Sequence, residues 1–304
     1  MRGTVSINLI PLLKQANAGI EQAKATGAAF EPSIIRQNLE NLSAYMISGP
    51  EVSLIKNTFI RVAEHKVAVR IYHPNPDQSL PVLLHFHGGG HMCGSIDLYD
   101  PISRELAIAA NAIVICIDYR LAPEHPYPAG IEDCQYLLES YQKLLKGYQF
   151  SSTLYIAGDS AGGAICTSLV ANYIDNAAIK IDKQILIYPS VDYTMSCPSI
   201  VENGQGFLLE ADKIRWYFQQ YFNLDKIDVN TNEVSTALIK KASPLLGTFD
   251  SRMPKTLVIT KQAGVSVEHY QFDELIHAYM LLSKLVPEQY HQTYLHIKKF
   301  INAE

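Results

Sequence analysis

The pentapeptide Gly158-Asp159-Ser160-Ala161-Gly162 lies between an apolar run, "LYIA", and a helix-forming run, "GAICTSLV". G-x-S-x-G between a strand and a helix is the setting of a nucleophilic serine. A sharp turn there strains the serine backbone and pushes its hydroxyl out of the sheet. Side chains two positions away on either side would collide with the neighbouring strand and helix, hence the glycines. The helix that begins at once after the serine turns free N–H groups and its positive dipole end toward developing negative charge. The plain alternatives are an incidental serine in a glycine-rich turn or a phosphate loop. A phosphate loop would want Gly-Lys-Ser/Thr or GxGxxG, and the chain has neither.

A second cluster, His85-Phe86-His87-Gly88-Gly89-Gly90-His91, admits two chemistries. His85 and His87 are two apart on one face of a strand, which suits a metal, but "MCGSIDLYD" adds only Cys93, Asp97 and Asp100 as further ligands. Three glycines just past a strand also expose backbone N–H groups with no side chain in the way, which suits an oxyanion hole. The glycine run precedes the serine, at the carboxyl end of an early strand, so each motif predicts the other. A simple flexible turn is the third alternative.

The elements that must carry these groups are legible as patterns. "PVLLHFH" (81–87), "AIVICIDY" (112–119), "TLYIAG" (153–158), "QILIYP" (184–189) and "TLVIT" (256–260) are short, nearly continuous apolar runs. Runs of this kind are strands buried on both faces. Helical patterns fall between the first four, among them 129–147 and 163–175. Strand–helix alternation predicts an α/β fold with a mostly parallel, doubly wound sheet. "NTFIRVAEHKVAVRIYHP" alternates with period two and predicts a half-exposed hairpin ahead of that sheet. Residues 1 to about 50 read as helical, with Pro11 and Pro32 as punctuation. Residues 190 to about 240 break the rhythm with an amphipathic helix, "LLEADKIRWYFQQYF", and no strand; they read as a lid or cap. "PEQYHQTYLHIKKFINAE" predicts a final helix with Tyr290, Tyr294, Ile297 and Ile301 in line.

The bulk properties narrow the classes. The chain has 304 residues, 48% apolar and 18% charged, enough to bury a sizeable core. A net charge of -5, with no run of Lys and Arg, gives no reason to expect nucleic acid or an anionic membrane as partner. The five cysteines form no CxxC and no zinc spacing, so free buried thiols in a reducing, cytoplasmic compartment are expected. The longest uncharged apolar run, 106–117, is too short to span a membrane. The N-terminus is a weak match to a signal peptide and reads better as an amphipathic helix.

The glycine run and the serine motif together resemble the bacterial hormone-sensitive-lipase-like esterases of the α/β-hydrolase superfamily. "IDYRLAPEHPYPAGIED" (117–133), "LIYPSVDY" (186–193) and "ASPLLG" (242–247) match that family in kind and order, and the resemblance runs from about residue 55 to the C-terminus. It implies one α/β-hydrolase domain with core 55–189 and 241–304 and a helical cap from 1–50 and 190–240. It implies hydrolysis of small carboxylic esters with no cofactor and no metal, a small-molecule ester as partner, and oxyanion donors at Gly88, Gly89, Gly90 and Ala161. His91 departs from the family, which has an aromatic or large apolar residue there, and is expected to alter the alcohol side of the pocket. The oligomeric state is not read from the sequence.

Ser160 needs a base within hydrogen-bond reach. In α/β hydrolases the chain order is Ser, Asp/Glu, His. Of the later histidines, His291 and His296 are expected to face solvent and His269 lies within a strand. His277, in "FDELIHAYM", follows the last strand and is the expected base. The acid is the difficulty. The family places an aspartate just after the strand at "TLVIT", but here Lys261 and Gln262 follow and no Asp or Glu occurs before Glu268. The acid-bearing loop and most of its helix are therefore expected to be deleted. Asp250 lies at the wrong end of that strand. Asp273 and Glu274 are near His277 in sequence, Glu274 at i, i+3 on a helical turn, although a solvated carboxylate is the commoner role for either. Residues 265–270, four residues beyond 256–260, are expected either to pair as a hairpin or not to form a regular strand, since parallel neighbours need a crossover of about a dozen residues. Removing the acid of a serine hydrolase costs roughly 10⁴-fold in kcat. The expected activity is thus a weakened serine carboxylesterase for short acyl esters. A non-catalytic binder or sensor of the same fold is the alternative, and a poorly folding truncated chain a third.

Overall fold

Alternating apolar and polar residues build the first sheet elements. They form an antiparallel ribbon of β1 (Leu54–Val62) and β2 (His65–His73), turned at Ala63 and Glu64. The chain before it is helical: a 3-10 turn at Ile7–Leu9, α1 (Ile10–Ala25), α2 (Pro32–Glu40) and a second 3-10 turn at Asn41–Tyr45. Pro11 and Pro32 sit in the first turns of α1 and α2, where the missing N–H would have no intrahelical partner. The structure is a computed structural model, and it describes residues 4–27, 30–224, 233–247, 252–259 and 267–303.

Beyond the ribbon, strands and helices alternate. They are β3 (Leu80–Phe86), α3 (Asp100–Ala110), β4 (Ile113–Ile117), α4 (Ala129–Leu144), β5 (Phe150–Asp159), α5 (Ala161–Tyr173) and β6 (Lys183–Ile187). Among the described residues three helices without a strand follow: α6 (Ser199–Glu202), α7 (Ala211–Tyr221) and α8 (Glu233–Ala242). The chain then returns to the sheet through β7 (Lys255–Ile259) and β8 (Val267–His269) and closes with α9 (Pro287–Asn302). Among the described residues the sheet has eight strands in the order β1-β2-β4-β3-β5-β6-β7-β8. The β1/β2 and β2/β4 pairs are antiparallel and the rest parallel. This is the mostly parallel sheet expected from the alternation, and the architecture that the resemblance implies.

The apolar runs lack alternation because both faces of the sheet are covered. Leu83, Val114, Ala157, Ile185 and Leu257 pack on one face with Leu106 of α3 and Ile297 and Phe300 of α9. Their neighbours Leu84, Ile113, Ile115 and Ile156 pack on the other with Leu137 of α4 and Ile165 and Leu169 of α5. A third cluster joins the first helices to those after β6, through Ile35, Met92, Tyr193, Tyr217, Phe218 and Tyr221. Arg36 of α2 donates to the Met92 carbonyl from Nε (2.8 Å) and to the Ala122 carbonyl from a terminal nitrogen (2.8 Å). Lys24 of α1 meets Glu210, at the start of α7, at 3.1 Å.

The last sheet pair corrects the sequence expectation. β7 and β8 are parallel, Thr256 opposite Val267 and Val258 opposite His269, so they form no hairpin. β8 ends at His269, one residue before the apolar letters do, and residues 260–266, including Lys261 and Gln262, fall outside the described residues. The register explains why a full crossover is unnecessary. β8 is three residues long, so the chain has to return only three strand positions, about 10 Å.

Among the described residues no helix is long and apolar enough to cross a membrane. All five cysteines are free, and four of them are buried.

Candidate active site

β5 runs straight into α5, and Ser160 is the single residue between them, held at φ 50° and ψ −116°. That region is sterically costly for a side chain, and neighbouring hydrogen bonds hold it. The Ser160 N–H donates to the Ile187 carbonyl of β6 (2.9 Å), and its carbonyl accepts from Ser190 (2.9 Å) and Ala164 (3.2 Å). The flanking glycines are needed as expected. A Cβ on Gly162 would lie 1.9 Å from the Phe86 carbonyl oxygen, and one on Gly158 would lie 2.3 Å from the Gly162 carbonyl carbon.

His277 arrives from the other side of the sheet's carboxyl end. It sits in a turn after β8, followed by Ala278 at φ 65° and a 3-10 turn at Tyr279–Leu282. Its Nε2 is 2.8 Å from Ser160 Oγ. With β7 ending at Ile259 and β8 beginning at Val267, the chain still brings the imidazole to the serine. Burial pulls its pKa down to about 4, and no neighbouring charge opposes the shift. The Tyr188 ring packs against the imidazole with centroids 4.8 Å apart.

Among the described residues no carboxylate is hydrogen-bonded to His277. Glu274 accepts instead from Gln289 Nε2 at 2.7 Å, and Asp273 is exposed and pairs with Gln271. Residues 273 and 274 lie in a turn rather than a helix, so the i, i+3 geometry that would aim Glu274 at His277 does not form. Asp250 lies outside the described residues. His269 and His291 are exposed, and His296 stacks on Tyr270 at 3.5 Å.

The glycine run turns past the serine, but its members differ. The Gly88 N–H is committed to Asp159 Oδ1 at 2.7 Å, so it is not a free donor. The N–H groups of Gly89 and Gly90 meet no acceptor among the described residues, and both glycines line the cavity over Ser160. Ala161 is the first residue of α5, whose first-turn N–H groups have no intrahelical partner. Gly89 and Gly90 have φ of 118° and 64°, which a side chain would resist.

Asp159, the second letter of the serine motif, went without a role in the sequence. It is buried between the motifs, accepts from Gly88 N–H and from Tyr99 Oη (3.1 Å), and so ties the glycine loop to the serine turn. Burial pushes its pKa up to about 6, and these hydrogen bonds hold it from rising further. Its signal was adjacency to Ser160, but its partners are 60 and 71 positions away.

The three histidines of the loop are packing groups. His85 Nδ1 pairs with Ser103 Oγ (2.9 Å), and His87 stacks on Tyr119 with centroids 4.4 Å apart. His91, expected to shape the alcohol side of the pocket, points away from it. It stacks on Tyr221 at 3.9 Å, pairs with Tyr193 Oη at 2.7 Å and does not line the cavity.

The cavity above Ser160 has a volume of about 400 Å³. Its floor is Gly89, Gly90, Ser160 and His277, and its walls are largely apolar, with Leu39, Val191, Leu209, Ile214 and Phe218. A hydroxyl against a neutral imidazole, beside unpaired N–H groups and under apolar walls, can attack a carbonyl carbon and hold the oxyanion that results.

Residues 83–281 match the family described as alpha/beta hydrolase fold. Esterase LipI of Mycobacterium tuberculosis is 32% identical over 274 residues, covering 83% of this chain and 82% of that protein. Ethyl acetate hydrolase of Pseudomonas putida is 29% identical over 290 residues, covering 86% of each. Among solved structures, a hyperthermophilic esterase from the archaeon Pyrobaculum calidifontis superposes with a TM-score of 0.80 at 27% identity over 98% of both chains.

Proposed function

Because the chain belongs to the α/β-hydrolase fold family, we propose that it is a serine carboxylesterase acting on short-chain esters through an acyl-enzyme. The observation that carries this reading is the 2.8 Å contact between Ser160 Oγ and His277 Nε2 on the cavity floor. His277 takes the serine proton as Oγ attacks the ester carbonyl. The negative charge that forms on the carbonyl oxygen is met by the N–H groups of Gly89, Gly90 and Ala161. The imidazolium returns its proton to the departing alkoxide, and the acyl group stays on Ser160. Water then repeats the sequence, with His277 as base, to release the acid. No cofactor enters either step. The cavity of about 400 Å³ suits a short acyl chain and a small alcohol.

The weak point of the cycle is the imidazolium. No described carboxylate stands behind it, and packing against Tyr188 and burial restrain the ring instead. Turnover below that of a complete triad follows. The free cysteines agree with a cytoplasmic setting, and the helices α1, α2 and α6 to α8 are assigned to a cap over the site. A non-catalytic binder is not favoured, since a neutral imidazole at the serine is what acyl transfer requires.

The test is stopped-flow hydrolysis of p-nitrophenyl butyrate with stoichiometric phosphonate labelling. One equivalent of label on Ser160 and turnover lost in Ser160→Ala are expected. A folded protein that neither labels nor releases p-nitrophenol would overturn the proposal.

A further inference from the structure

α7 is amphipathic, and its cavity face is Lys213, Ile214, Tyr217 and Phe218. Three of these obey the pattern of an apolar inner face. The fourth is a lysine. The outward positions Asp212 and Arg215 are exposed and pair with each other at 3.0 Å, so α7 has solvated charge where a helix ordinarily carries it. Lys213 is the only Lys or Arg among the described residues that line the cavity, and it is half-buried.

Its neighbours leave it uncommitted. Among the described residues Lys213 has no hydrogen bond and no ion pair; its one polar contact is with the Tyr217 ring, at 5.8 Å. Glu210 is occupied by Lys24 Nζ and by the Gly206 N–H, both at 3.1 Å, and does not line the cavity. Cys93 is buried, and its thiol pKa is raised, which keeps it neutral. The cavity's two carboxylates are bound to their own surroundings. Asp192 accepts from the N–H and hydroxyl groups of Thr194 and Ser196, and Asp159 from Gly88 and Tyr99. Burial draws the Lys213 pKa below its ordinary value against the pull of Cys93 and Glu210. An ammonium stripped of water in this way gains from an incoming anion.

The position points toward the serine. Tyr217, one turn along α7, packs on Gly90, whose missing Cβ would lie 2.9 Å from the Tyr217 ring. Lys213 is therefore on the oxyanion-loop side of the cavity, facing the same space as Ser160. We propose that Lys213 is a specificity residue that selects esters carrying a second, ionised carboxylate, such as half-esters of dicarboxylic acids. The inference rests on the esterase reading above and adds the substrate class.

Two matched pairs test it by pH-stat: monomethyl glutarate against methyl pentanoate, and 3-acetoxypropanoate against butyl acetate. The readout is the ratio of kcat/KM, charged over neutral, compared between wild type and variants so that intrinsic ester reactivity cancels. In at least one pair Lys213→Met should lower the ratio by ~10-fold or more, and Lys213→Arg should retain it, as a desolvated charge contact predicts. A second readout is independent of turnover: glutarate should raise the melting temperature of wild type and of Lys213→Arg but not of Lys213→Met. Hydrolysis of the esters with ratios and melting shifts indifferent to Lys213 would overturn this inference alone. A Lys213-dependent melting shift without hydrolysis of any ester would sink the esterase reading and leave the anion site standing. Absence of both would sink the two together.

Discussion

Burial holds His277 neutral far into the acid range, and this sets how the site should respond to pH. In the proposed cycle His277 acts as base only when unprotonated, and its pKa is drawn down to about 4. Activity should therefore be lost as pH falls through about 4, rather than near the ordinary histidine value of about 6.5. A kcat/KM profile for a neutral ester checks this, and a single acid limb near 6.5 would place the imidazole in water. Asp159, pushed up to about 6, should add a shallow step there as its bond to the glycine loop loses charge; Asp159→Asn should remove that step. At this scale the sequence exposed what backbone geometry demands. Ser160 and its glycines are local requirements written in consecutive letters. The division of labour within the glycine run was not legible, because what takes the Gly88 N–H is a carboxylate 71 positions away.

The elements carry a different kind of constraint. α5 is pressed so closely on β3 that a methyl group at Gly162 would overlap the Phe86 carbonyl oxygen at 1.9 Å. Gly162→Ala should cost ~3 kcal/mol or more of stability through forced backbone movement. Gly19, on the exposed face of α1 with nothing within 4 Å of an added Cβ, is the opposite case. Gly19→Ala should stabilise by ~0.5–1 kcal/mol, because alanine is the better helix former. Urea midpoints of the two variants measure both, and equal effects would contradict the packing described. The buried strands were legible from their apolar runs to within a few residues, because both faces of each demand the same chemistry. The pairing of β7 with β8 was not. Small differences at strand ends changed the apparent connection, and the direction of pairing follows from the connection.

For the whole molecule, the buried titratable groups add up to sensitivity to acid. Burial lowers His85 and His91 to about 3 and His277 to about 4, all below their unfolded value of 6.5. Such groups favour the native state above 6.5 and withdraw that support as pH falls toward their folded values, because the unfolded chain binds the protons first. Asp159 has the opposite sign: its raised pKa of about 6 helps below 3.8, and the help is lost as pH rises through about 6. Burial also lowers His73 and His87 and raises Glu105, so the lowered histidines outnumber the raised carboxyls and the melting temperature should fall between pH 7 and 4.5. Asp159→Asn should steepen the fall, and a flat profile in both proteins would show that these histidines are solvated. The two ends of the sheet also differ in how they meet other molecules. At one end β8 offers a three-residue edge, too short to template another strand. At the other, β1 is nine residues long, and its exposed Phe59 is shielded by the charged ends of Arg61 and Lys66 at 5.7 and 4.4 Å from the ring. Among the described residues edge-to-edge aggregation has one long edge at which to begin, and two cations guard it.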